Sequence, residues 1–544
     1  MNTPRTRWLG LVFISLAVAM IIVDATIVNV AIPTIVEDIG ITSTQVQWVQ
    51  ESYTLVFAAL LLVFGALADR YGRKKLLLLG VVVFAAASVG AALAPNGELL
   101  ILARVIQAVG GAMVLPTTLS IINTGFTGRE RGIAFAVWGA TIGGTVALGP
   151  LLGGWLTEYF SWRWAFGINV PLGAIIIIGL LVTISEAKNE RSTERIDIGG
   201  ALLSVIASAS LVFGLIEGRT YGWWRASAEN PFTVGGWEWP FSVSVVPWMF
   251  VITVVAVVGF IARARRRERL GKPSLLSLSL FEIPSFRNGN VAALIVSLGE
   301  FGILLAVPLW LQNVAGYGAL ETGFILLALA GGSFLASGMS SGLLKKMPPI
   351  AVVRLGLFLE FAGVLALAIG LGSGSTWVLF APTLFIYGLG VGLATAQLTG
   401  VILQEVPQER SGQASGTQST ARQIGSALGI AILGTVLFTV SSATFDATLE
   451  RDFSDLPADT RSQLVTELDR SAGAAIPALT AQQPEVGAAA AEAFTSGTQW
   501  SAYIGAAFLA VGFGATFRLL PRRPNDATAG AQGPATAPAD PLET

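Results

Sequence analysis

Residues 65–75 read Gly65-Ala-Leu-Ala-Asp69-Arg70-Tyr-Gly72-Arg73-Lys74-Lys75, and they join two apolar runs near 46–68 and 76–94. An ordinary basic loop between two membrane helices would account for the four cations. It would not account for the two glycines around Asp69. Gly65 lets a neighbouring helix approach closely, and Gly72 permits a tight turn. Asp69 is placed to accept from a helix N-terminus, or to pair with arginine in a gate that opens and closes. Gly65, Asp69, Arg70, Gly72 and Arg73 are therefore gating candidates.

The runs on either side are part of a longer series. The chain is 53% hydrophobic and only 12% charged, with a mean hydropathy of +0.69. Fourteen stretches are apolar and long enough to cross a bilayer, near 9–33, 46–68, 76–94, 99–121, 132–155, 164–184, 198–216, 244–262, 289–311, 320–343, 350–371, 376–403, 412–440 and 499–519. This is an all-α polytopic membrane protein by pattern. The first run lacks a small-residue cleavage site and is expected to remain as a span. Cysteine and histidine are both absent, which excludes disulfides and thiolate chemistry and leaves no usual ligands for zinc or haem. No cofactor, metal or nucleic-acid partner is expected. Proton handling inside the membrane must fall to carboxylates.

An even number of spans puts both termini on one side, and charge chooses the side. With a cytoplasmic N-terminus the inner segments hold 24 lysines and arginines and the outer loops six, as the positive-inside rule requires. Location in the cytoplasmic membrane with both termini inside follows. Trp223, Trp224, Trp237 and Trp239 between spans 7 and 8 suit an interfacial aromatic belt. The outer stretch 441–498 carries nine acids against three arginines. It reads as an acidic solvated loop with some helix, or as a lid or vestibule that attracts cations. The stretch after Arg523 is low-complexity and reads as a disordered tail.

Charges inside the spans are costly, and for that reason informative. Asp24 interrupts LGLVFISLAVAMIIVDATIVNVAIP. A carboxylate at bilayer depth costs about 2.5–3.5 kcal/mol on insertion scales, so it is expected to face a cavity and do work. Arg104 in span 4 lies roughly 9 Å inside its boundary and should meet an acid or line water. Glu300 in span 9 is about 16 Å deep, near the midplane. It binds substrate or proton, or partners an arginine. Glu51 makes an acidic face with Gln47, as a cation entry or a solvated helix end. Arg422 shares a helical face with Ser415, Ser419 and Ser426, either as interhelical glue or as part of the translocation path. Gln397, and Trp310 with Gln312, are further cavity candidates. Span 5 carries Gly139, Gly143, Gly144, Gly149, Pro150, Gly153 and Gly154. The small residues let backbones touch, and the proline invites a bend.

The 65–75 motif resembles the signature of the major facilitator superfamily. The pattern around Gly143, Gly149 and Pro150 looks like the antiporter signature of that superfamily, which adds these three to the gating candidates. Asp24-Ala-Thr26-Ile-Val-Asn29-Val-Ala-Ile-Pro33, the surroundings of Arg104, and Trp162-Arg163-Trp164-Ala-Phe-Gly-Ile-Asn169-Val-Pro171 resemble the fourteen-span drug:proton antiporters of the QacA/EmrB type. These motifs cluster in the first 175 residues, and RSGQASGTQSTARQIGSALG extends the likeness more weakly.

That resemblance implies two six-helix bundles of inverted repeats with two inserted helices between them. The domains would be 1–187, an N-terminal bundle; 188–285, the insert; 286–520, a C-terminal bundle; and 521–544, a cytoplasmic tail. The site would lie at the midplane between bundles and open to each side in turn. Span 9 would line the cavity, whereas span 11, with Glu360, would be peripheral and its acid structurally paired. A second copy of the 65–75 motif is expected after span 10, but only Gly342-Leu-Leu-Lys345-Lys346 stands there.

The function implied is proton-coupled efflux of lipophilic, cationic drug-like compounds by a monomer in the lipid bilayer. Asp24 and Arg104 would couple the proton. Glu300, Glu51, Trp310, Gln397 and Arg422 would receive the cargo. A narrow exporter of an endogenous metabolite or antibiotic keeps the same fold. A sensor would need an output domain and a channel a repeated pore element. An enzyme would need a nucleophile–base pair or cofactor motif, and none of these stands out.

Overall fold

The computed structural model describes residues 4–41, 43–185, 197–227, 231–234 and 237–518. The expected tail at 521–544 lies outside the described residues. The helices in chain order are α1 Pro4–Ile39, α2 Ser43–Tyr71, α3 Arg73–Ala92, α4 Gly97–Gly125, α5 Gly128–Tyr159, α6 Arg163–Gly167, α7 Asn169–Thr183, α8 Ile198–Glu217 and α9 Val245–Arg269. They continue with α10 Pro284–Asn313, α11 Ala319–Lys346, α12 Pro349–Gly370, α13 Trp377–Leu403, α14 Ser411–Asp452, α15 Ala458–Arg470, α16 Ile476–Gln482 and α17 Pro484–Ala515. Among the described residues, 13 helical segments are long and apolar enough to cross a membrane. The glycine-rich α5, with 32 residues, runs fifth in the series.

The helices pack in two sets. In one, α2 and α3 lie along α4, while α1 lies along α5 and α7. In the other, α10 lies along α14 and α17, α11 along α13, and α12 along α13 and α17. The sets meet where α5 runs beside α11 and α13, and where α2 runs beside α14. The pair α8 and α9 stands outside them, with α8 against both α2 and α14. On α9, Val254 and Val255 are 62% and 66% exposed. Such a face suits hydrocarbon, where apolar surface gains nothing by moving into protein.

Close crossings depend on glycine. A Cβ on Gly110 of α4 would lie 2.7 Å from the Phe84 nitrogen of α3, and one on Gly390 of α13 would lie 2.5 Å from the Glu360 nitrogen of α12. The two crossings correspond, one in each set. Where the first places a phenylalanine, the second places an acid.

The stretch 441–498 is helical rather than a loop with some helix. α14 continues to Asp452, α15 and α16 follow, and α17 starts at Pro484. It is also anchored: Asn313 Nδ2 donates to the Ala472 carbonyl at 3.0 Å, and Asp469 pairs with Arg219 at 3.1 Å. Between α8 and α9, Thr233–Val234 and Trp237–Glu238 form a small hairpin. Trp224 there is 77% exposed.

Candidate functional site

Asp24 lies inside the first set of helices, fully buried. Its Oδ2 accepts from Arg104 Nη1 at 2.5 Å. Its Oδ1 accepts from Gln107 Nε2 at 3.1 Å and from Asn169 Nδ2 at 2.7 Å. Both of those amides also donate to Ser88 Oγ, at 2.7 and 3.2 Å. The guanidinium of Arg104 donates through Nε to the Val49 carbonyl at 3.1 Å and lies 4.2 Å from the centre of the Tyr53 ring. Helices α1, α2, α3, α4 and α7 thus converge on one acid and one base. The pair is charge-balanced, and each oxygen of Asp24 has a donor. Sequence reading named Asp24, Arg104 and Asn169 but missed Gln107, Ser88 and Tyr53. The signal for Gln107 was its place three residues after Arg104, on the same helical face.

The second set holds a different cluster. Glu300 of α10 is 3% exposed. Its Oε1 accepts from Thr395 Oγ1 at 3.0 Å, and its Oε2 faces Arg422 Nη2 of α14 at 3.4 Å. Tyr387 of α13 donates to the Glu300 carbonyl at 3.3 Å. Glu360 interacts electrostatically with both Glu300 and Arg422. It is fully buried, and neither of its carboxyl oxygens has a hydrogen-bond partner. Two acids therefore share one base. The expected structural pairing of Glu360 is absent among the described residues. In a low-dielectric interior an unpaired carboxylate is costly, and protonation relieves that cost.

The 65–75 motif forms a clasp. Asp69 Oδ1 and Oδ2 accept from the backbone nitrogens of Gly412 and Gln413, at 2.8 and 2.9 Å. The N-terminus of α14 is thereby capped by a side chain from α2. Arg73 donates to Asp69 at 2.9 Å, to the Gln408 carbonyl at 2.6 Å and to Thr124 at 3.0 Å. Gly72, at φ 101°, makes the turn that brings Arg73 back to Asp69. A Cβ on Gly65 would meet the Gly412 oxygen at 2.5 Å and Gly416 Cα at 2.7 Å. Arg70 takes no part in the clasp and leans over Tyr71, 5.7 Å from its ring centre. At the decayed copy, by contrast, nothing among the described residues lies within 4 Å of a Cβ on Gly342.

The remaining candidates are scattered. Gln397 Nε2 donates across the interface to the Gly132 carbonyl of α5 at 2.8 Å and to Ser340 at 3.1 Å. Trp310 is fully buried, its Nε1 bound to Thr495 at 2.9 Å and its ring 5.0 Å from that of Phe380. It presents no free face in this conformation. The carboxyl group of Glu51 interacts with that of Glu217 of α8. Gly149 packs on Thr26, where a Cβ would collide with the hydroxyl. Gly143 and Pro150 fall outside the described side chains, as does Gln47. Among the described residues no His, Cys, Asp and Glu group could hold a metal ion.

A helical multi-pass membrane protein with two packed sets of helices, a clasp between them and a buried charge cluster in each has the build of a membrane transporter. The chain belongs to the Major Facilitator Superfamily, whose family profile matches residues 14–430. It is 32% identical over 524 residues to the multidrug resistance protein Stp of Mycobacterium tuberculosis (strain CDC 1551 / Oshkosh), covering 95% of this chain and 93% of that one. The multidrug efflux pump LfrA of Mycolicibacterium smegmatis is 31% identical over 76% of this chain and 77% of its own. The puromycin resistance protein pur8 of Streptomyces alboniger is 33% identical over 72% of this chain and 73% of its own. Among solved structures, the human organic anion transporter MFSD10 (TETRAN) shares the fold with a TM-score of 0.60 at 12% identity, covering 95% of this chain and all of that one.

Proposed function

We propose that this protein is a proton-coupled multidrug efflux antiporter that exports lipophilic, cationic compounds by alternating access, and that it is not an enzyme. Full-length similarity to Stp, a multidrug resistance protein, supports the cargo class. The observation that carries the coupling is the buried Asp24–Arg104 pair. An ion pair fixed between five helices stores a carboxylate that can accept a proton only if Arg104 moves away. A change in their separation therefore links helix motion to proton uptake. Loading and release would alternate with binding of the cargo in the same cavity.

Residues 1–187 act as one bundle and 286–520 as the other, with 188–285 inserted. Both termini face the cytoplasm of the cell membrane, so the clasp at Asp69 is the cytoplasmic gate. With that gate shut, the conformation is one that bars access from inside. Glu300 and Arg422, opposite the Asp24 site, receive the charged part of the cargo.

The test is pH-gradient-driven transport in proteoliposomes with Asp24→Asn. Loss of gradient dependence is expected, with facilitated movement of cargo remaining. Proton-driven accumulation equal to that of the parent protein sinks the assignment. A narrow panel of accepted compounds would turn the reading towards an exporter of one endogenous compound.

A further inference from the structure

Helix α8 belongs to neither bundle, yet its last residue meets α2. Glu217 closes α8 at the end remote from the basic loops, and its carboxyl group interacts with that of Glu51, two turns into α2. Glu217 is 2% exposed. The Oε2 atom of each acid is buried without a hydrogen-bond partner. An ionised carboxylate is acceptor-only, so two carboxyl groups can hydrogen-bond only when the pair holds a proton. The position strengthens that requirement, because carbonyl dipoles at a helix C-terminus disfavour negative charge.

Among the described residues neither acid joins an ion pair. Tyr221, in the segment after α8, is the other titratable group that feels both carboxyls. Arg219 is turned away, 3.8 Å over the Phe438 ring of α14 and bound to Asp469 of α15. On α4, Arg104 is committed to Asp24. The end of α8 is thus held to the N-terminal set through Glu51 and to the C-terminal set through Arg219.

We propose that Glu51 and Glu217 form a second proton-binding site, a carboxyl dyad that carries one proton while α8 is docked on α2 and repels when that proton leaves. The inserted helix then acts as a proton-dependent strap across the outer ends of α2 and α14. The dyad stands on its own geometry, whereas its use in transport rests on the antiport reading above. It also gives Glu51 a proton as its ligand in place of a cationic cargo.

Infrared difference spectra of the purified full-length protein, parent minus variant, should isolate a protonated-carboxyl stretch that persists above the pH at which exposed carboxyl groups ionise and disappears as the pH rises further. Glu51→Gln and Glu217→Gln should each remove that titrating band, whereas Asp24→Asn should leave it intact. Glutamine keeps the volume and can donate one hydrogen bond to the remaining carboxylate, and either variant alone gives the reading if the other does not fold. In proteoliposomes Glu217→Gln should retain Asp24-dependent transport but shift its dependence on outside pH by about one unit, tenfold in proton concentration. Parent-minus-variant spectra that lack such a band overturn the dyad. An unchanged pH profile overturns the strap. Proton-coupled transport surviving in Asp24→Asn would refute the antiport reading alone and leave the infrared result standing.

Discussion

Each set of helices holds one buried charge cluster, and the two are balanced differently. Around Asp24 one acid meets one base, and amides from α4 and α7 fill the rest of its shell. Around Glu300 two acids share Arg422, and Glu360 is left without a donor. The first cluster is balanced as it stands, and under the coupling proposed above Arg104 would have to move away before Asp24 takes a proton. The second is one positive charge short, and a proton or a cationic guest can supply it. An acid that is already satisfied suits coupling, whereas an acid with spare capacity suits binding.

The largest effect that tests this contrast is expected from Arg104→Met. Removing the base strands a buried carboxylate, which costs about 3–5 kcal/mol, and thermal unfolding of the detergent-solubilised protein should show it. The double variant Asp24→Asn/Arg104→Met should recover most of that loss. A double variant no more stable than the single would mean that the pair is not a closed charge balance.

Next come the acids of the second cluster. Glu300→Gln should weaken binding of a cationic drug about tenfold, or roughly 1.4 kcal/mol, and spare a neutral one. Glu360→Gln should leave the fold and the affinity for a neutral drug within a factor of about two, because the amide imitates a protonated acid. Isothermal titration with a matched pair of compounds reads both. If Glu300→Gln instead abolished pH-gradient coupling, the roles of the two clusters would be exchanged.

A smaller change is expected at the clasp. Gly65→Val would push a side chain against Gly412 and Gly416, and loss of the α14 cap in Asp69→Ala costs about 0.5–2 kcal/mol. Both should open the side closed by the clasp, the cytoplasmic side in the orientation proposed above. Because the chain has no cysteine, one introduced at the buried Ser415 reports this through its labelling rate, which should rise. The smallest effect concerns Asp38, whose carboxyl is held below its usual value by hydrogen bonds from Arg163 and Trp162. A depressed value stabilises the folded state above the unfolded value near 3.8 and loses that contribution as pH falls through the folded value. Acid should therefore loosen the α1–α6 tie, seen as faster hydrogen exchange at the end of α1 that Asp38→Asn reproduces at neutral pH.

Much of this architecture was legible before any coordinates. Long apolar runs must become helices in hydrocarbon, because each backbone group has to find its partner within its own segment. Asp24, Arg104 and Glu300 stood out because charge inside such runs is rare. Asp69 stood out because glycines flanked it, and it caps α14 as a helix N-terminus would ask. Gln107 and Ser88 were harder to see, since uncharged polar residues are ordinary in membrane helices and their role depends on what lies opposite. Residues 441–498 misled for a related reason: a surplus of acids marks contact with water but does not distinguish a loop from an amphipathic helix.

By itself the sequence determined the helical membrane fold, the basic end of the molecule and the presence of costly buried charges. Those properties are set by composition and local spacing. Only the tertiary structure decided which charges meet. It paired Asp24 with Arg104, gave Glu300 and Glu360 a single shared arginine, and set Glu51 against Glu217. These partners come from helices far apart in the chain, and their distances depend on glycine crossings and helix rotations that no local pattern records. Whether an acid in a membrane is balanced, short of a cation or in need of a proton is decided by those distances.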